Sequence, residues 1–487
     1  MNRQAEADRH ALNRLERLLQ PFAEVRAGEG ATALLMFVNI FLVLTAYYVL
    51  KVVREALTIG GVTLGSLQGD EIKAYLPAIM ALLLIVIVPV YGRLASKVDR
   101  MALIRNTMLF VIAVLCVFFV WGSATGVGTS IGLSFYISLG IINVFLIAQF
   151  WSYANDIYTE AQGKRLFAII AVGQSLGAVL GPKIAQIGAE HTFGLLALSA
   201  ALLLICLFLF GAVNRRVATT STPGSMAPRI VEPLAKEGGF QLVFGTRYLL
   251  LIALMILCTN MVNTTGEYIL SNAALQYAEQ EVSVASVLGP DAAAAVEGGA
   301  SLTEDQRQRM KDERSPFVGR FYGEFFFYVN LAGLLIQLFF VSRIFRFFGI
   351  RAALFVLPVL AFGGYAAIGT IGGLAVLRVA KTAENSTDYS LQNTVKQALF
   401  LPTSREAKYK AKQAIDTFFV RFGDAASAGI VALGLHVLHF DAKGFAFVNV
   451  GLCLLWIGLC AGIAREHKKL ETSREGANNS VESLNTS

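Results

Sequence analysis

"ATALLMFVNIFLVLTAYYVLKVVREAL", residues 31–57, is apolar for longer than the roughly 20 residues a bilayer-spanning helix needs, yet its last turns carry Lys51, Arg54 and Glu55. The apolar part sets the fold class. The whole chain follows the same pattern: 487 residues are 55% hydrophobic and 15% charged, where soluble domains carry charge on about a quarter of their residues. Comparable stretches recur near 74–96, 102–121, 131–153, 166–188 and 193–213, and again near 247–270, 318–342, 351–372, 373–400, 412–435 and 444–463. The reading is an all-α membrane protein of about twelve transmembrane helices in two sets of six.

Lys and Arg set the expected orientation, because short cytoplasmic loops hold their excess. With a cytoplasmic amino terminus, the inner loops contain Arg93, Lys97, Arg100 and Arg105, then Lys164 and Arg165, Arg215 and Arg216, Arg343 and Arg346, and Arg405, Lys408, Lys410 and Lys412. The long segment 271–317, expected as an external loop, has eight acidic residues against four basic ones. Both termini are therefore expected in the cytoplasm, with a tail at 1–30, a linker at 214–246 and a second tail at 464–487. The formal charge of +7 reads as topology charge facing anionic lipid, with no nucleic-acid partner. Residues 1–30 mix both charge signs and lack the apolar core of a signal peptide. All five cysteines fall inside apolar stretches, where they read as packing residues.

The bundles 31–213 and 247–463 suggest an internal repeat. "YTEAQGKRLFAIIAVGQSLGAVLG" (158–181) and "SREAKYKAKQAIDTFFVRFGDAASAG" (404–429) each combine a basic inner loop with the start of the fifth helix of their set. This is the architecture of the major facilitator type, two six-helix bundles with a solute path expected between them.

Charges inside the helices point to function. One charged residue at a helix centre costs about 2.5–3.5 kcal/mol on insertion scales, so Arg378, Lys381, Glu384, Asp388 and Lys396 would cost on the order of 15 kcal/mol facing lipid. On a regular helix Lys381, Glu384, Asp388, Gln392 and Lys396 share an arc of about 120°, a stripe that must face protein or water. Tyr47, Lys51, Arg54 and Glu55 share about 100° of another face. Those charges either snorkel at the outer interface or contact an anionic solute, and two cations on a side short of them favour the solute. Arg320 and Glu324 can form an internal ion pair; Arg421 and Asp424 read equally as a structural pair and as a solute contact. Small residues every four positions in "GQSLGAVLG" (173–181) point to close helix packing. His436 and His439 lack a third ligand, so no metal is expected, and no cofactor. The chain has no phosphate loop, no His-Glu-x-x-His and no nucleophile elbow, which leaves a secondary transporter ahead of an enzyme, receptor or scaffold.

Several of these segments resemble the nucleotide translocase family, the ATP/ADP exchange carriers of intracellular bacteria and plastids. "YYVLKVVREALTI" (47–59) resembles its first helix, "FWSYANDIYTEAQGKRLF" (150–167) its Phe-Trp-x-x-Ala-Asn segment and following Lys-Arg, and "NMVNTTGEY" (260–268) its seventh helix. "DYSLQNTVKQALFLP" (388–402) and "KAKQAID" (410–416) are similar to its tenth-helix segment and subsequent Ala-Ile-Asp. The resemblance implies nucleotide exchange by alternating access in a bacterial inner membrane, by a monomer. It places a functional acid on Glu267 and a binding lysine on Lys396. Lys51, Arg54 and Lys396 would then hold phosphates, Glu267 and Asp388 would repel wrong ligands or pair with the cations when the site is empty, and Glu55, Lys381, Glu384 and Arg421 complete the expected binding set. The chain departs from the family in the order of Lys51 and Arg54, in having Leu139 and Gly140 near the family's fourth-helix acid, and in Gln397 after Lys396. A carrier of another anionic or phosphorylated solute, proton-coupled or uniport, fits the same scaffold.

Overall fold

A computed structural model describes residues 13–19, 25–95, 98, 100–220, 239–404, 407 and 411–485. Of the basic residues expected in inner loops, Lys97, Arg405, Lys408 and Lys410 lie outside this set, as do residues 1–12 of the expected tail and 221–238 of the expected linker.

Over its described residues each expected span is helical to within a few residues of its ends. The helices are α1 (Gly30–Ile59), α2 (Gly69–Ala95), α3 (Arg100–Thr125), α4 (Thr129–Ile157), α5 (Glu160–Ile187) and α6 (Thr192–Thr220). The second set is α7 (Arg247–Glu281), α8 (Glu304–Phe339), α9 (Val341–Thr370), α10 (Leu374–Leu399), α11 (Lys412–His436) and α12 (Ala442–Asn485). Among the described residues, ten helices are long and apolar enough to cross a membrane. The α10 tract falls outside that group because Lys381, Glu384, Asp388 and Lys396 interrupt it.

Three differences from the sequence reading have local causes. Segment 271–317 is largely helical rather than an open loop: α7 continues to Glu281, Val284–Leu288 and Pro290–Glu297 form short helices, and α8 begins at Glu304. Its polar opening turns are helical, with the pair Asp305–Arg309 at 3.3 Å in i,i+4 spacing. At Gly349, φ is 73° and ψ 171°, so α9 breaks into Val341–Phe348 and a main part from Ile350 that matches the expected span 351–372. Both α10 and α11 contain one π-helical turn, at Asp388–Gln392 and Ile415–Phe419.

The chain forms two compact units that cut across the expected halves: residues 1–69, 83–229 and 277–327 form one, and 70–82, 230–276 and 328–487 the other. In the first, α1 packs most extensively on α5 and α6. The small-residue repeat of α5 makes the first of these contacts. A Cβ added at Gly173 would stand 2.7 Å from the Phe37 carbonyl oxygen, and one at Gly181 2.7 Å from that of Thr45; Gly177 meets the Phe41 carbonyl closer still. Backbone therefore lies against backbone, as the spacing predicts. At one end the contact is fastened by charge: the Arg165 guanidinium donates to both Glu29 oxygens at 3.0 Å, just ahead of α1. Thr159 and Gln162 form a capping box that starts α5 beside it, and Gln162 also donates to Glu29 at 3.2 Å. Arg165, expected as a topology charge, is thus a structural one too. The same unit holds Asp312, which accepts from the Val127 backbone N–H at 2.8 Å, and Arg320, which pairs with Glu190 at 3.1 Å.

In the second unit the opening residues of α2 join α7 and α11. Asn272 donates to Asp70 at 2.8 Å, and His436 Nε2 lies 2.8 Å from Glu71 Oε1.

Candidate functional site

The binding residues expected from the sequence fall into sets that lie within single units. In the first unit α1 runs on to Ile59, past all three of its charges, and Glu55 is buried. The Arg54 guanidinium hydrogen-bonds Glu55 Oε1 and sits 4.7 Å from the Tyr136 ring centroid. Lys51 Nζ stands 4.0 Å from the Phe326 centroid and 5.4 Å from that of Tyr48, a cation between aromatic faces.

The second unit holds a cluster of four charged side chains. Lys381 is 0% exposed, a costly position for an ammonium unless its partners compensate it. Its Nζ lies 3.0 Å from Glu384 Oε2, and the Tyr365 hydroxyl donates to that same oxygen at 2.8 Å. Asn263 Oδ1 accepts from Lys381 at 3.4 Å. Glu267 continues the network on α7: its Oε1 accepts from Asn385 at 3.0 Å and stands 3.9 Å from Lys381 Nζ, while its Oε2 is 3.7 Å from Lys73 Nζ. Lys73 in turn donates to Ser271 Oγ at 2.9 Å. Two ammoniums and two carboxylates thus form a balanced chain, Lys73–Glu267–Lys381–Glu384. Gly266 makes room for it, since a Cβ there would collide with the Tyr365 hydroxyl and lie 2.9 Å from Lys381 Nζ.

Chemically, such a network can exchange partners. An incoming anion offers the ammoniums oxygens in place of those that Glu267 and Glu384 now supply.

Two smaller sets accompany it. Lys396 pairs with Asp388 at 3.2 Å, both part-exposed. Asp424 accepts from Asn260 at 2.8 Å, Thr264 at 3.1 Å and Arg421 at 3.3 Å, while Asp416 pairs with Lys412 at 2.6 Å. The geometry of Asp424 satisfies a carboxylate fully and gives Arg421 a structural partner.

The π turn of α10 absorbs one extra residue, which turns Lys396 back by about 100° and leaves it on the same face as Asp388, with which it pairs. Lys381 and Glu384 lie before it and Lys396 after it, and these two groups have different partners.

Sequence reasoning missed Lys73 and Tyr365. Tyr365 sits in an apolar run, where a tyrosine gives no signal. Lys73 stands at the edge of an expected span and reads as a loop charge; its position on the side poor in cations was the available hint.

Comparisons with known proteins bear on what this cluster serves. No protein-family model matches the chain. It is 23% identical over 337 residues to ADP,ATP carrier protein 1 of Chlamydia trachomatis, covering 61% of this chain and 57% of that protein. The chain resembles the ADP,ATP carriers. The same protein from Chlamydia muridarum is 25% identical over 337 residues, and ADP,ATP carrier protein 4 of Rickettsia bellii 20% over 376. The chain spans less than two thirds of the length of these relatives, 56% and 65% for the latter two. Among solved structures, a peptide transporter POT in complex with sulfate matches with a TM-score of 0.58 at 15% identity, covering 92% of this chain and 99% of that one. The nucleoside transporter NupG matches with a TM-score of 0.56 at 10% identity, covering 90% and 99%. These likenesses show the fold: an all-α, multi-pass membrane protein of the major facilitator type.

Proposed function

We propose that the protein is a secondary transporter that carries nucleotides across the membrane, in ATP/ADP-type exchange by alternating access. The buried chain Lys73–Glu267–Lys381–Glu384 carries this reading, because a membrane helix keeps such charges only where ions or solutes need them. The ADP,ATP carrier relatives supply the solute. Lys51 and Arg54 in the first unit and Lys381 and Lys396 in the second are the phosphate-binding cations. Glu267, Glu384 and Asp388 serve as their counter-ions in the empty state, and Glu55 does so for Arg54. Arg421 belongs to the same set through Asp424. The protein acts as a monomer in a bacterial inner membrane with both termini cytoplasmic, and does no enzymatic chemistry.

The reversed order of Lys51 and Arg54 favours a second reading, a carrier of another phosphorylated solute, since the two cations bind oxyanions with different geometry. Purified protein in liposomes loaded with ADP tests both. Labelled ATP should enter only when ADP is inside. Equal uptake into empty liposomes overturns exchange. A melting point unmoved by any nucleotide overturns nucleotide transport, since a ligand at 100 times its Kd adds about 2.7 kcal/mol to the native state.

A further inference from the structure

Gln392 closes the π turn of α10, is 0% exposed, and neither its amide nitrogen nor its amide oxygen has a hydrogen-bond partner among the described residues. A primary amide has two donor hydrogens and two acceptor lone pairs. Burying all of them unmet is costly, and a leucine of similar shape would avoid the cost.

The surroundings say what the amide waits for. Asp388 and Lys396 are eight residues apart and joined at 3.2 Å. On a plain helix that separation is about 80° off axis, but with one residue absorbed by the π turn the two lie nearly in line, two turns apart. Gln392 falls midway on that line. The ion pair therefore spans the stretch of helix that holds Gln392, and both its members are still part-exposed, at 24% and 21%. An anion that draws Lys396 away from Asp388 is held within a helical turn of Gln392.

We infer that Gln392 reads the base of the carried nucleotide. Its amide oxygen accepts from the adenine amino group and its amide nitrogen donates to the adjoining ring nitrogen, a bidentate match that glutamine makes with adenine elsewhere. Lys396, one helical turn away, holds a phosphate of the same molecule. This assignment rests on the nucleotide reading above and adds a base requirement that phosphate binding alone does not carry.

The test uses the full-length protein in detergent, with three probes: ATP, the triphosphate of unsubstituted purine riboside, which lacks the amino group, and inorganic tripolyphosphate. The unaltered chain should bind ATP about tenfold or more tighter than the purine analogue, because a site built to hydrogen-bond a group rejects ligands that lack it. Gln392→Leu should erase that difference by weakening ATP more than the analogue, which keeps only the ring-nitrogen contact to lose, and leave tripolyphosphate binding unchanged. Equal binding of ATP and the analogue by the unaltered chain overturns the assignment without any variant. So does Gln392→Leu that keeps the discrimination and melts higher, the mark of an amide that is simply a cost. Should the unaltered chain bind none of the three, the nucleotide reading falls and this inference with it.

Discussion

Replacing Lys381 by methionine removes one ammonium from a fully buried site and leaves Glu384, 5% exposed, facing only the Tyr365 hydroxyl. At the observed 3.0 Å, two unit charges attract by about 5 kcal/mol for an effective dielectric constant of about 20. Desolvation offsets part of this in the intact pair, but nothing offsets it in the single variant. Breaking one buried pair in this way typically costs about 3–5 kcal/mol. Lys381→Met combined with Glu384→Gln leaves no charge unpaired at that position, and the glutamine oxygen still accepts from Tyr365. The double variant should therefore recover most of the loss, with a coupling of about 2 kcal/mol or more in a double-mutant cycle. Glu267 keeps Lys73 and Asn385 in both variants, so its contribution cancels to first order. The assay is thermal unfolding in detergent, with and without ATP. If the network is both structural and a binding site, the double variant folds but its melting point no longer responds to ATP. A double variant as unstable as the single one would refute the electrostatic account. Full ATP response in a stable double variant would remove Lys381 from the binding set.

Three further outcomes follow, two from the first unit and one from the second. Gly177→Ala should destabilise by about 1–3 kcal/mol in the same unfolding assay, because its methyl group has no room against the Phe41 carbonyl. Gly458→Ala on α12 meets nothing within 4 Å and should be neutral or gain up to about 1 kcal/mol from helix propensity. Glu29 has its carboxyl pKa lowered: burial pushes it up, but the Arg165 hydrogen bonds, the Arg26 backbone N–H and Gln162 outweigh that. A lowered folded value means stability that is fully present above the ordinary carboxylate value of 4.5 and lost as pH falls through the folded one. Unfolding measured across that acid limb should show a shallower loss in Arg165→Gln than in the unaltered chain; parallel curves would refute the assignment.

The helices were legible because apolar length is a property of composition, and lipid demands it of every spanning segment. Where the chain leaves that regime, hydropathy stops reporting. The opening turns of α8 hold "EDQRQRMKDER" from residue 304 onward, a helix stabilised in water by its own charges, and by hydropathy it looks like a loop. The candidate site divides the same way. Lys381 and Glu384 were visible because charge inside an apolar run is conspicuous. Lys73 was not, since its partners Glu267 and Ser271 lie about 200 residues away in sequence. The π turns left no trace either, because a slipped backbone hydrogen bond depends on tertiary packing and not on side-chain polarity. The orphan amide of Gln392 became apparent only with the partners of its neighbours in place.

The break at Gly349 has a consequence for how the protein sits in lipid. Ahead of it, Val341–Phe348 carries exposed Arg343, Arg346, Phe347 and Phe348, a pairing of cations and aromatic rings suited to the headgroup layer. Behind it runs the apolar main part of α9. A residue at φ 73° and ψ 171° transmits neither helical hydrogen bonds nor helical stiffness, so the spanning part can tilt to match a thicker or thinner bilayer while the aromatic foot keeps its depth. A side chain at position 349 would oppose that backbone geometry and stiffen the joint. Transport by such a variant should then depend more steeply on lipid acyl-chain length than transport by the unaltered chain.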